Sequence, residues 1–374
     1  MLREFVDNVK NVPGWRTNRK MIIFAVDDYG NVRLNSKEAR ERMDQNGLTI
    51  YSRFDAFDTL ETRTDLEALF DVLKSVKDMN GRSAIFTPYA LSCNIDYDKT
   101  QEAGFERIHL ELLPDTFSKL TMLDPKSYSG AWELWQEGIT SNIMSPQFHG
   151  REHFSLKLIN QKLMNRDHDI LCNLKNRSLT SIDSTSYPGM GWTAAFSFWD
   201  PVHDTAPFPE IISEGLKAFK EVYRKNAVAF TAPAQQFPEM LKLYLVSSGI
   251  KAHDVPFYQA MHLGFGEYKR KFSIMGLKQN PSHVELVRNV VFEPTHTTQD
   301  HVGKALRQIE TAFRWNKPAL ISSHRVNFCG HIDEENRKLG LSSLQTLLKA
   351  VVKKWSDVEF MSVEELITEI QGHD

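Results

Sequence analysis

Residues 21–30 read Met21-Ile22-Ile23-Phe24-Ala25-Val26-Asp27-Asp28-Tyr29-Gly30. Six apolar residues in a row, ended by two acids and a turn glycine, predict a strand buried on both faces, because an unbroken apolar run leaves no side for water. A strand of that kind belongs to a sheet covered by helices. Its two acids then fall at the C-terminal end, where parallel α/β folds place their ligands.

The rest of the chain repeats the pattern. Residues 36–47 (SKEARERMDQNG) predict a helix stopped by Gly47, 48–57 (LTIYSRFDAF) a second strand, 65–81 a helix and 83–91 (SAIFTPYAL) a strand. A long irregular segment is expected over 94–145. Then follow a short strand at 144–150 (MSPQFHG), helices at 154–165 and 210–226, a strand at 227–233, a helix at 238–249 and a strand at 250–257. Residues 283–294 (HVELVRNVVFEP) read as a strand with a bend, and 297–316 as a helix capped by Thr297 or Thr298. Residues 318–324 (PALISSH) are a strand, 342–355 a helix, and 358–367 a last strand-to-helix unit. Alternating β and α with continuous apolar strands argues a parallel sheet. At 374 residues the expectation is a single closed or nearly closed barrel spanning 1–374, with 94–145 as an insertion or lid. An open doubly wound sheet is the alternative. No GxGxxG or phosphate-loop motif follows the first strand, which lowers the claim of nucleotide cofactors.

Composition narrows the function. A hydrophobic share of 41% and a charged share of 25% are ordinary for a globular protein. The net charge of −3 gives no reason to expect nucleic acid or an anionic membrane as partner. No apolar run approaches the ~20 residues of a membrane helix. The first twenty residues carry acids and no apolar core, so no secretory signal is expected. Three sparse cysteines, Cys93, Cys172 and Cys329, form no CxxC and suit a reducing compartment. A cytoplasmic location is the expectation; the oligomeric state is left open.

The second informative stretch is His149-Gly150-Arg151-Glu152-His153. Two imidazoles four apart face one ion if the chain turns into a helix there. Two histidines plus a carboxylate leave coordination positions open, as a hydrolytic metal site needs. In a barrel, Asp27-Asp28, His149/His153, Asp254 and His324 all fall at strand C-termini, at one mouth. Taken singly, each has a bland reading as a cap, a solvated acid or a structural histidine; the joint pattern is harder to dismiss. Glu152 does not belong to an HExxH helix, and Cys329 reads as a small buried residue rather than a nucleophile.

FAVDDYG, HGREH and LISSH, in this order, resemble the polysaccharide deacetylase superfamily of metal-dependent carbohydrate deacetylases, like carbohydrate esterase family four. The DDYG form also resembles the related diacetylchitooligosaccharide deacetylases. The similarity runs from about Lys20 to Leu366. It implies a distorted (β/α) barrel of seven strands in which Asp28, His149 and His153 bind a divalent metal, zinc before others. It further implies Asp27 as general base and His324 as general acid, with Asp254 orienting His324. A backbone N–H near Tyr29 or Gly30 is a candidate for holding the oxyanion.

Two departures stand out. The family's Arg-x-Pro-Tyr motif, whose arginine steadies the base, is matched only by Thr231-Ala232-Pro233-Ala234. Arg151, the first choice, or Arg288 is expected to take its place. The segment before HGREH is long and carries Tyr128, Trp132 and Trp135, either sugar-stacking platforms or packing residues. Trp192 is a candidate for facing substrate. The leading reading is therefore a metal-dependent hydrolase removing an N- or O-acetyl group from a carbohydrate, either a polysaccharide or, inside the cell, a soluble, nucleotide-linked or lipid-linked intermediate of its biosynthesis. The alternatives are an inactive deacetylase-like barrel that binds carbohydrate, and a glycoside hydrolase using Asp27 with Glu293 or Asp254.

Overall fold

The computed structural model describes residues 2–184, 186–280 and 282–372. Eight strands pair in parallel: β1 (Lys20–Tyr29), β2 (Phe86–Ala90), β3 (Gln147–Phe148), β4 (Ala229–Phe230), β5 (Ala252–Val255), β6 (His283–Val287), β7 (Val290–Val291) and β8 (Ala319–His324). Their order is β6-β5-β4-β3-β2-β1-β8-β7. A further strand, β9 (Val358–Phe360), pairs with Lys20–Ile22 at the start of β1. The two ends of the parallel order, β6 and β7, are neighbours in the chain, separated only by Arg288-Asn289. The sheet therefore curls until two residues bridge its ends, which makes it a distorted (β/α) barrel.

Seven strands were expected; among the described residues eight follow one another round the sheet, and β9 is a further parallel strand beside β1. The difference lies in residues 283–294, which break where the Asn289 side chain takes over part of the ladder. It accepts from Leu320 N at 2.9 Å and donates to Pro318 O at 2.8 Å.

Alternation along the strands sorts two apolar groups. Met21, Ile23 and Ala25 cluster inside with Tyr89, Ala229, Ala252, Leu286 and Leu320. Ile22, Phe24 and Val26 pack outward with Phe86, Ile321 and the helices. Asp27 continues the inward row of β1, as His324 continues that of β8 and Asp254 that of β5. Register sets Asp27 beside His324, because these two are Cα partners across β1 and β8.

Three local expectations differ from the structure. Residues 48–57 are not a strand: the chain runs without regular structure until a short helix, Arg53–Phe57. Its arginine and phenylalanine both meet site residues. Segment 94–145 is mostly helical, with Leu113–Leu123 and Ala131–Thr140 packed on the barrel. Tyr128 and Trp135 are buried in the main apolar cluster and Trp132 packs against it, so these aromatics are packing residues. The helix expected over 297–316 starts at His301, capped by Asp300 accepting from Gly303 N, and not by Thr297 or Thr298. No helix among the described residues is long and apolar enough to cross a membrane.

Candidate metal centre and active site

Strict alternation would send Asp27 and Asp28 to opposite faces of β1. The strand avoids this with a break. Pairing to β2 shifts between Val26 and Tyr29, and Asp28 adopts φ 74°, a left-handed conformation rare for a residue with a side chain. Such strain persists only where the surroundings over-determine it. Here it delivers two adjacent carboxylates to one mouth with different partners.

Asp28 meets the imidazoles. Its Oδ1 lies 3.0 Å from His153 Nε2 and 3.4 Å from His149 Nε2. One ligand atom from each of the three buried residues lies within 4.8 Å of the others. Ligand atoms about 2.1 Å from a tetrahedral ion sit about 3.4 Å apart, so this spacing suits a divalent metal. The donor chemistry fits as well. His149 Nδ1 donates to Thr231 O at 2.9 Å, which leaves the lone pair on Nε2. That Nε2 is buried without a hydrogen-bond partner, an orphan that an ion would satisfy. Burial pushes the Asp28 carboxyl up, but His153 and His149 outweigh it and hold it well below the usual range. Burial pulls His153 down against the opposing charge of Asp28, which favours the neutral imidazole that binds metal.

The two histidines do not reach the ion from a helix, as their spacing suggested. His149 directly follows β3, His153 lies in the loop beyond, and the next helix begins only at Leu156. Gly150, at φ 115°, makes the turn between them; a Cβ there would strain a backbone conformation that side chains rarely adopt.

Asp27 meets a cation. Arg288 Nη1 and Nη2 donate to Asp27 Oδ2 and Oδ1, both at 2.7 Å, and Arg288 Nε donates to Asp254 at 2.9 and 3.0 Å. Arg288 also lies over the Tyr89 ring, 5.2 Å from its centroid. Burial pushes Asp254 up to about 6, against the lowering effect of Arg288. Of the two arginines expected beside Asp27, the one that pairs with it is therefore Arg288, from the bridge between β6 and β7. Arg151, the first choice from sequence, is elsewhere: its guanidinium is held by Glu152 at 2.6 and 3.0 Å and by Glu214. Thr231 still serves the site through its carbonyl on His149 and its hydroxyl, which donates to Asp254 O at 3.0 Å.

His324 Nε2 lies 3.8 Å from Asp27 Oδ2. Its orienting carboxylate is Glu293, not Asp254: Glu293 Oε1 lies 2.7 Å from His324 Nδ1. Burial alone would lower His324, but Glu293, with Asp28 and Asp27, raises it to about 9. Glu293 is itself held by Arg53 and by Asn327 Nδ2 at 2.8 Å. Phe54 packs edge-on against the imidazole, ring centroids 5.2 Å apart. The sequence offered Glu293 only as a glycosidase carboxylate; its place at the end of β7, level with His324, was the signal for this second role.

Trp192 is half-buried and lines a pocket together with His153. The Gly30 N–H is not available to an oxyanion, because it donates to Glu61, which also accepts from Trp135 Nε1 at 2.6 Å. Cys329 is buried, and burial pushes its thiol well up, which matches the small-residue reading.

No family model matches the sequence, and no curated protein matches it. Solved structures with similar folds do exist. One is described as a "probable Polysaccharide deacetylase" from Pseudomonas aeruginosa PAO1, with 9% identity, 95% of this chain and 92% of that one covered, and a TM-score of 0.47. Another is Puue allantoinase, with 9% identity, coverage of 96% and 93%, and a TM-score of 0.45. A third is described as a mutant of a CE4 family pseudoenzyme, with 9% identity, coverage of 95% and 70%, and a TM-score of 0.37. At these scores and identities, the chemistry of the site rests on its own geometry.

Proposed function

We propose that this protein is a metal-dependent hydrolase that removes an N- or O-acetyl group from a carbohydrate. The observation that carries the reading is the division of labour between neighbouring acids: Asp28 faces two imidazoles while Asp27 faces Arg288 beside His324. Asp28, His149 and His153 would hold the ion, zinc before others, which when bound supplies Lewis acidity to the acetyl carbonyl and activates water. Asp27 accepts the water's proton. Both its oxygens already accept from Arg288, yet each keeps a lone pair, and the pairing fixes the plane of the carboxylate. His324, protonated at neutral pH, gives its proton to the departing amine or alcohol, and Glu293 stabilises the ring through Nδ1. The glycosidase alternative is not favoured, since Glu293 is committed to His324, Arg53 and Asn327.

Elemental analysis of the purified protein is the first test. About one divalent ion per chain is expected, lost in His149→Ala and His153→Ala. Absence of metal from the wild type under non-chelating conditions would overturn the reading. Acetate release from a panel of acetylated sugars, abolished by Asp27→Asn, is the second. Bound metal with no acetate release from any of them would favour the inactive, carbohydrate-binding barrel.

A further inference from the structure

We propose that Arg33 forms an anion-binding subsite beside the metal centre, so that the substrate is an acetylated sugar carrying a carboxylate or phosphate. The inference rests on the deacetylase reading and narrows its substrate class. Arg33 lies three residues beyond Gly30 and is only 8% exposed. Its guanidinium lies over two aromatic rings, 4.9 Å from the centroid of Trp192 and 5.1 Å from that of Phe54. Among the described residues its side chain makes no hydrogen bond, and its Nε is buried without a partner. Among the described residues Asp55 is its one acidic neighbour within ion-pair distance, and the contact is long, Nη2 to Oδ1 at 3.6 Å. That same oxygen already accepts from Thr180 Oγ1 and Ser181 N.

A guanidinium cannot shed its charge, and a donor such as Nε left unspent in a buried position is costly until an acceptor arrives. The buried Arg288 and Arg325 are used up. Arg288 spans Asp27 and Asp254, and Arg325 spans Asp58 and Glu61. Arg33 is not, and it lines the same pocket as Asn31, Asn94, His153 and Trp192. Asn94 is fixed in that lining, accepting from Val32 N and donating to Gly30 O. The two rings hold the planar fork in place, an arrangement suited to capture of an oxyanion. Because His153 belongs to both the pocket and the proposed ligand set, the anion would be held close to the scissile acetyl group.

The test uses deacetylated sugars, which bind without turnover: glucosamine, glucosamine 6-phosphate and muramic acid, titrated into the metal-loaded protein by calorimetry at fixed ionic strength. Wild type is expected to bind at least one charged sugar ten-fold or more tightly than glucosamine. Arg33→Met should reduce that ratio to near one. Arg33→Lys, which keeps the charge but loses the fork, should lie between and guards against a folding defect in the methionine variant. Whichever of muramic acid and the phosphate wins identifies the anion. No preference for either charged sugar in wild type, or a preference that survives both substitutions, would overturn the subsite. Charged sugars that bind through Arg33, while their acetylated forms release no acetate, would leave the subsite standing and remove the deacetylase reading instead.

Discussion

The guanidinium of Arg288 meets the carboxylate of Asp27 in two parallel hydrogen bonds of 2.7 Å, across 261 residues of sequence. The same side chain grips Asp254 through Nε. One cation thus separates two buried carboxylates, and it comes from the two-residue bridge between the ends of the curled sheet. Arg288→Met should leave two like charges facing each other, at a cost of about 3–5 kcal/mol. Arg288→Lys keeps a charge but cannot align both oxygens. The lysine variant is expected to fold, retain its metal and lose acetate release by about 100-fold, the scale of a misplaced catalytic group. Urea unfolding, metal content and acetate release measured on both variants check this; a lysine variant with full activity would mean that alignment of Asp27 is irrelevant.

The second relationship concerns pH. His324 reaches about 9 because Glu293, mainly, outweighs the lowering effect of burial. As the proposed general acid His324 must carry its proton, so activity should hold below that value and fall as pH rises through it. Glu293→Gln removes the raising charge and leaves the burial. The alkaline limb of kcat/KM should then move down by about one pH unit or more, the usual effect of losing an adjacent opposite charge. A limb that stays in place would show that another group supplies the proton.

Much of this was legible in the residues. The apolar run 21–26 and its alternation with helices indicated a covered parallel sheet, and strand-end positions picked out Asp27, Asp28, His149, His153, Asp254 and His324. What escaped depended on geometry that spacing does not encode. HGREH looked helical because four-residue spacing has a helical meaning, yet a loop turned by Gly150 brings both imidazoles to Asp28. Arg151 was the nearer substitute for the missing arginine in sequence, but Glu152 and Glu214 capture it, while Arg288 sits where β6 and β7 meet. Residues 48–57 had strand-like composition, and tertiary contacts of Arg53 and Phe54 with Glu293 and His324 prevailed over it.

The buried Nε2 of His149 makes a prediction independent of turnover. An ion that binds only the folded protein stabilises it by about 2.7 kcal/mol at a hundred times its dissociation constant. Zinc added to metal-stripped wild type should therefore raise the unfolding temperature, and a chelator should reverse the rise. His149→Ala and His153→Ala should show little shift. Equal shifts in all three proteins would place the ion elsewhere.

Gly340 links the stability of the last long helix to the support of Glu293 and His324. It lies within Glu334–Lys354, where alanine is ordinarily the better helix former by about 1 kcal/mol. A Cβ at this position, however, would stand 1.7 Å from the backbone oxygen of Asn327. Asn327 donates through Nδ2 to Glu293 Oε2 at 2.8 Å and to His324 O at 2.9 Å. Gly340→Ala must push this segment away, against close packing, and should destabilise the protein by about 1–3 kcal/mol despite the gain in propensity. Because the displaced residue holds Glu293, the alkaline limb of activity should move in the direction set by Glu293→Gln. Ser342→Ala, on the exposed side of the same helix, is the control and should change neither property. An alanine at 340 that lowered stability without moving the pH limb would separate the helix contact from the support of His324.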